Sequence, residues 1–314
     1  MQTVLPALLR PVRILPWRIE KLELPDGDFI ELGWAGSGRT DAPVAVLLHG
    51  LGGSLESKYV CGLGRRLGAA GWSVCAVRQR GAGPQPNRLP RAYNHGDSEP
   101  IRFLWQTLRQ RAPDCFIACV GWSLGGNVML KALGEAGVHA PIDQAYALSV
   151  PFRLHECAEH LRHGFARVYQ RRLLDACKDM VRRKHAARPL PSDVDLVMAL
   201  DARDFFEFDG AFTAPTSGYR DAEDYYARAA CGSFLTHIRR PTRILHALDD
   251  PFMRPEIVPA AAALSPWVDL ELSERGGHVG FLSADAWGRP QCWSEAEVCR
   301  RLQADHAAAR GRIS

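Results

Sequence analysis

Gly121-Trp122-Ser123-Leu124-Gly125 sets a serine between two glycines, a G-x-S-x-G arrangement suited to nucleophilic catalysis. A serine hydroxyl attacks well only when a base takes its proton, and the base needs a carboxylate to hold its tautomer. Two later loops offer those groups in the order Ser…Asp…His: Asp249-Asp250-Pro251 and Gly276-Gly277-His278. Asp250 is the expected acid, because it stands deeper in its loop and Pro251 fixes the chain after it. Asp249 is expected to make local turn hydrogen bonds. A fourth element is His49-Gly50-Leu51-Gly52-Gly53. A turn there can aim Leu51 N–H at the space faced by Leu124 N–H, and two such donors form an oxyanion hole worth about 2.7–4 kcal/mol per donor.

These groups are far apart in the chain, so a scaffold must gather them. Val44–Leu48 is a continuous apolar run, the mark of a strand buried on both faces. Further strands are expected at Trp72–Val77, Phe116–Val120, Ala145–Val150, Thr242–Ala247 and Val268–Leu272. Helices are expected near 57–70, 99–111, 124–136, 255–264 and 294–309. Strands alternating with helices imply a mostly parallel, doubly wound α/β sheet. Ser123, Asp250 and His278 then all fall at the carboxyl ends of strands, the edge where open α/β sheets place their sites. Arg18–Leu24 and Phe29–Trp34 alternate about the turn Pro25-Asp26-Gly27 and read as a hairpin.

The alternation stops at Pro151, and the polar helical stretch that follows reads as an inserted cap. The expected division is a basic arm with short strands over 1–40, a first core part over 41–150, the cap over 151–238, and a second core part over 239–314. The cap aromatics Phe152, Phe165, Tyr169, Phe205, Phe206 and Phe208 are expected either to enclose an apolar acyl pocket or to form the cap's own core.

Other chemistries fit less well. Gly50-Leu51-Gly52 begins a dinucleotide-type glycine loop, but Leu55 occupies the third glycine position, and no G-K-S/T occurs. His155, Glu156, Glu159, His160 and His163 lie close together, and His160 and His163 share a helix face; without H-E-x-x-H they read as a polar helix rather than a metal site. The 39 basic and 35 acidic residues give +4, too mild for a nucleic-acid binder. Nine cysteines without a C-x-x-C pair and no visible signal peptide lead to the expectation of a cytoplasmic protein with reduced thiols. No segment has the ~18 apolar residues of a membrane span.

The sequence resembles the α/β-hydrolase superfamily, and in finer detail its YheT-like branch. The resembling stretches are HGLGGSLESKYV (49–60), RGAGPQPNRLPRAYNHG (80–96), GWSLGGN (121–127), FARVYQRRLL (165–174), GYRDAEDYYARA (218–229), HALDDPFM (246–253) and GGHVGF (276–281). The likeness spans about residues 15–300. It implies an α/β-hydrolase fold with Ser123 as nucleophile, Asp250 as acid and His278 as base, in agreement with the reading of the residues. His95 departs from the pattern, which carries a serine before the glycine, as does Pro100, where an acidic residue is common. The family implies carboxylic-ester hydrolysis by many members, phospholipid acyl chains as substrates for eukaryotic ones and acyl transfer from coenzyme A to alcohols by fungal ones. No cofactor is implied, because an acyl-enzyme route needs none.

The resulting expectation is a serine hydrolase acting on a small-molecule carboxylic ester. One alternative keeps the triad and replaces water with an alcohol acceptor, giving an acyltransferase. Another is a membrane-surface or interaction module with an idle triad, motivated by Arg10, Arg13, Arg18 and the cap arginines.

Overall fold

The computed structural model describes residues 13–284 and 290–311. The apolar stretch Val4–Leu9 and Arg10 of the expected basic arm lie outside them. β1 (Arg18–Glu23) and β2 (Phe29–Gly36) form the antiparallel hairpin read from their alternation. There follow β3 (Val44–Leu48), α1 (Lys58–Ala69), β4 (Ser73–Arg78), α2 (Glu99–Arg111), β5 (Ile117–Trp122), α3 (Leu124–Ala136) and β6 (Gln144–Leu148). Six helical segments come next: α4 (Leu154–Leu161), α5 (Ala166–Ala187), α6 (Leu196–Asp201), α7 (Phe205–Phe208), α8 (Ala214–Ser217) and α9 (Ala222–Ala229). The sheet then resumes with β7 (Thr242–Ala247) and β8 (Val268–Ser273), and α10 (Trp293–Arg310) packs back onto it.

The order across the main sheet is β1-β2-β4-β3-β5-β6-β7-β8. β2 pairs antiparallel with both neighbours, and the pairs from β4 through β8 are parallel. The fold is therefore the α/β sheet expected from the strand–helix alternation. Every residue of β3, β5 and β6 is buried, which explains their unbroken apolar runs. The period of two splits β3 between faces: Val44, Val46 and Leu48 join the core with α2 and α3, while Ala45 and Leu47 join Leu63, Trp72 and Leu302.

One expected helix does not form. Residues 255–264 make only two short turns, Pro255–Ile257 and Ala261–Ala263. Pro259 forces Val258 out of the helical region, to φ −64 and ψ 126, and itself has no N–H to give. The short antiparallel pair β9 (Leu282–Ala284) and β10 (Pro290–Cys292) was not foreseen, because three-residue strands carry almost no periodicity.

The Arg80–Gly96 stretch turns out to be a brace. Arg80, with its side chain 2% exposed, donates to Asp26 at 2.7 Å, Asp28 at 2.9 Å and Asp97 at 3.1 Å. Asn87 Nδ2 donates to Asp28 Oδ2 at 2.6 Å, and Arg88 N–H to Asp28 Oδ1 at 2.8 Å. Lys184 of α5 completes it, its ammonium donating to Asn87 Oδ1 at 2.5 Å and Leu89 O at 2.7 Å. A buried ion cluster with every partner in place ties the β1–β2 turn, the loop after β4 and the longest cap helix together.

Candidate active site

Ser123 joins β5 to α3 at φ 51 and ψ −120, a conformation costly for any residue with a side chain. A Cβ at Gly121 would lie 2.6 Å from Gly125 O, and one at Gly125 only 2.3 Å from Leu48 O. Glycine is therefore obligatory at both positions, because a side chain would collide with the backbone of the turn. The turn is locked by Ser123 N–H donating to Leu148 O at 2.9 Å, and by Asn127 N–H donating to Ser123 O at 2.9 Å. Asn127, fully buried, fastens the first turn of α3 to its surroundings by donating to His95 O and Ala229 O, both at 2.9 Å.

The two aspartates after β7 divide: Asp250 faces His278, while Asp249 bonds to a loop 27 residues on and not within its own turn, where its sequence position led one to expect its partners. Asp250 is buried, and its Oδ2 stands 2.8 Å from His278 Nδ1. Its Oδ1 accepts from Phe252 N–H at 2.9 Å. Asp249 Oδ1 accepts from Gly276 N–H and Gly277 N–H, each at 2.7 Å, and so clamps the loop that carries His278. Past His278 the backbone is strained: Val279 and Phe281 sit at φ 62 and φ 40. Ser149, at φ 52 beyond β6, holds this bend by accepting from Val279 N–H at 3.0 Å. The Phe252 ring lies flat on the imidazole, 4.0 Å between centroids and 10° between planes.

In the His49–Gly53 loop, Gly50 N–H donates to Tyr59 OH at 3.0 Å and Gly52 N–H to Tyr93 OH at 2.9 Å. Gly53 N–H donates to Gly50 O at 3.0 Å. Leu51 N–H has no such tie among the described residues, and neither has Leu124 N–H at the start of α3. His49 is neutral: burial pushes its pKa down to about 4, and its Nδ1 lies 2.8 Å from Gly50 O. It shapes the turn.

Ser123 and His278 both border two spaces. One is a narrow recess walled by buried residues such as Leu154, Leu161, Phe205 and Met253. The other is a groove of about 1550 Å³ that runs out past exposed Gly52, Glu56 and Arg172. The six cap aromatics scatter between roles. Phe205 lines the recess, Tyr169 the groove, and Phe208 a further small interior cavity. Phe206 packs on Tyr226, Phe152 against His246, and Phe165 is 70% exposed, so none of these three borders the serine.

The histidine cluster of α4 disperses. His160 Nε2 lies 3.2 Å from Pro251 O, His163 Nε2 2.8 Å from Glu159, and His155 Nδ1 2.7 Å from Glu223. Among the described residues no group of three or more His, Cys, Asp or Glu gathers as metal ligands. Nor is any described helix long and apolar enough to cross a membrane.

Sequence reasoning missed His95 and Asp209 as pocket residues. His95 stands out only as a departure from the family pattern and Asp209 by nothing local, and it is the packing of the segment after β6 that brings both into the recess.

A parallel sheet with a strained serine at a strand end, beside a histidine–aspartate pair, defines an α/β hydrolase. The chain belongs to that family, whose model, the alpha/beta hydrolase fold, matches residues 43–285. It is 39% identical over 301 residues to "Putative esterase YheT" of Escherichia coli (strain K12), covering 95% of this chain and 88% of that protein. It is 28% identical over 299 residues to "Phospholipase ABHD3" of Mus musculus, covering 93% and 72%. A "Monoacylglycerol lipase" of Saccharomyces cerevisiae is 30% identical over 270 residues, covering 84% of this chain and 60% of that one. Among solved structures, an esterase of Pyrococcus furiosus superposes with a TM-score of 0.59 at 17% identity, covering 93% of this chain and 90% of that one. This last likeness concerns the fold alone.

Proposed function

We propose that the protein is a serine hydrolase of carboxylic esters that works through an acyl-enzyme on Ser123. The observation that carries this reading is a serine held at φ 51 and a histidine 2.8 Å from the buried Asp250 carboxylate, with Ser123 and His278 bordering one recess. Ser123 Oγ attacks the ester carbonyl while His278 Nε2 takes its proton, and Asp250 holds Nδ1–H and balances the imidazolium. Leu51 N–H and Leu124 N–H receive the oxyanion of the tetrahedral intermediate. His278 then gives its proton to the leaving alcohol. Water, deprotonated by His278, attacks the acyl-enzyme and releases the acid, restoring Ser123.

The relatives named as an esterase and a monoacylglycerol lipase support ester chemistry. The wide groove beside Ser123 gives water a path to the acyl-enzyme, which favours hydrolysis over transfer to an alcohol. The test is fluorophosphonate labelling of the purified protein beside Ser123→Ala, with hydrolysis of p-nitrophenyl esters of increasing chain length. Labelling and turnover that both vanish in the variant are expected. A folded wild type that neither labels nor turns over any ester overturns the reading.

A further inference from the structure

Away from Ser123 and His278 the recess is lined mainly by apolar side chains, with His95, Asp209 and Tyr226 as polar groups placed where an acyl chain would run. His95 and Asp209 also line the interior cavity behind it, together with Leu51 and Phe205, so they stand where the two spaces meet.

The hydrogen bonds around His95 determine its tautomer. Its main-chain N–H donates to Tyr225 OH at 3.1 Å, and its Nδ1 lies 2.9 Å from the same oxygen. Among the described residues the Tyr225 hydroxyl proton has no other acceptor, so it points to Nδ1, which is bare. Burial keeps the imidazole neutral, with its pKa pushed down to about 3. The ring proton is therefore on Nε2, which has no protein acceptor among the described residues, in a residue that borders the recess. Asp209 supplies the opposite function. Its two carboxylate oxygens accept from Thr213 Oγ1 at 2.6 Å and Tyr226 OH at 2.8 Å, and each keeps a further lone pair. It opens the wide turn Asp209–Thr213, an irregularity of the kind that helices adopt at functional sites.

We propose that His95 and Asp209 form a specificity subsite for a hydroxyl group on the acyl chain of the substrate. A hydroxyl is the group that meets both demands above about pH 7, where buried Asp209 is ionised, accepting from His95 Nε2–H and donating to the Asp209 carboxylate. The subsite belongs to the acyl side because the leaving alcohol, protonated by His278, has the open groove as its exit. The acyl part stays on Ser123 against the buried walls of the recess. This inference rests on the ester-hydrolase reading for its direction, but not for its binding test.

The experiment uses the full-length protein with ethyl octanoate and its monohydroxy positional isomers, followed by pH-stat at pH 8, where Asp209 is ionised. At least one isomer is expected to show a kcat/KM about tenfold or more above the plain ester, because a site built to bond a hydroxyl disfavours the analogue lacking it. That ratio is expected to fall to about one in His95→Phe. It is expected to persist in His95→Gln, whose amide accepts from Tyr225 OH and still donates an N–H. Tyr225→Phe, which releases Nδ1 from its partner, provides a second variant that lowers the ratio. In parallel, calorimetry on Ser123→Ala compares octanoate with the hydroxyoctanoates as free acids, and about tenfold tighter binding of one hydroxy isomer is expected. Loss of all ester turnover with that binding preference intact defeats the hydrolase reading and keeps the subsite. Turnover of plain and hydroxylated esters at equal rates, or a preference unchanged in His95→Phe, overturns the subsite.

Discussion

Asp249 and Asp250 are neighbours in the chain, and they grip three consecutive residues of one short loop in different ways. Asp250 Oδ2 meets the His278 ring at 2.8 Å, whereas Asp249 Oδ1 takes the N–H groups of Gly276 and Gly277 at 2.7 Å. One carboxylate faces the imidazole, and the other sets where the imidazole's backbone begins. Their removal should differ in kind. Asp250→Asn is expected to lower kcat by about 10⁴-fold with little change in melting temperature, since the shape is kept and the tautomer lost. Asp249→Ala is expected to cost about 1–3 kcal/mol of stability and a smaller share of activity, because two loop N–H groups lose their acceptor. Steady-state kinetics beside thermal melts separate the two; equal losses in both variants would contradict the division.

Strain at Ser123 should be measurable as stability. A side chain at φ 51 and ψ −120 stores of order 1–3 kcal/mol, and glycine adopts that region freely. Ser123→Gly is therefore expected to unfold at a higher urea concentration than the wild type, by about 1 kcal/mol, while taking no fluorophosphonate. A lower midpoint would mean that the hydroxyl's contacts outweigh the strain.

One ammonium ties the longest cap helix to the loop after β4. Lys184 Nζ reaches Asn87 Oδ1, Leu89 O and Arg91 O at 2.5, 2.7 and 3.3 Å. Lys184→Met removes the charge and leaves those acceptors buried, at an expected cost of about 2–4 kcal/mol. Hydrogen exchange should rise first along Ala166–Ala187, which the brace holds to the loop after β4. Protection unchanged along that helix would show that apolar packing alone seats it.

Asp209 gives stability a pH dependence of predictable sign. Burial pushes its carboxyl from the usual 3.8 up to about 7, so between those values the folded chain keeps a proton that the unfolded chain has released. Stability contributed by this group is full below about pH 4 and is lost as the pH rises through about 7. In Asp209→Asn that loss is absent. The melting temperature of the variant relative to wild type is expected to climb from pH 4 to pH 8, and a flat difference would refute the assignment.

Much of the fold was legible because its signals are local. Val44–Leu48 and the runs at β5 and β6 are apolar throughout, and such a run between helical stretches leads to a parallel sheet buried on both faces. The glycines around Ser123 were equally legible, since a strand that turns directly into a helix excludes a Cβ there. The 255–264 segment was misread because its alanines favour a helix while Pro259 vetoes one, and a single backbone constraint outweighs summed propensity.

By itself the sequence determined the order of the main-sheet strands and the serine's turn, both set within a few residues of chain, whereas the different partners of Asp249 and Asp250 lie 27 and 28 residues away. Only the tertiary structure decided that the Arg80–Arg91 stretch is an ion brace for α5 rather than part of the site. It alone carried His95 and Asp209, 114 positions apart by their numbers, to the junction of two cavities. The physical reason is that strand and turn preferences act between near neighbours. A pocket is whatever space remains after distant helices have packed, so its lining follows from burial across the whole chain and not from any one segment.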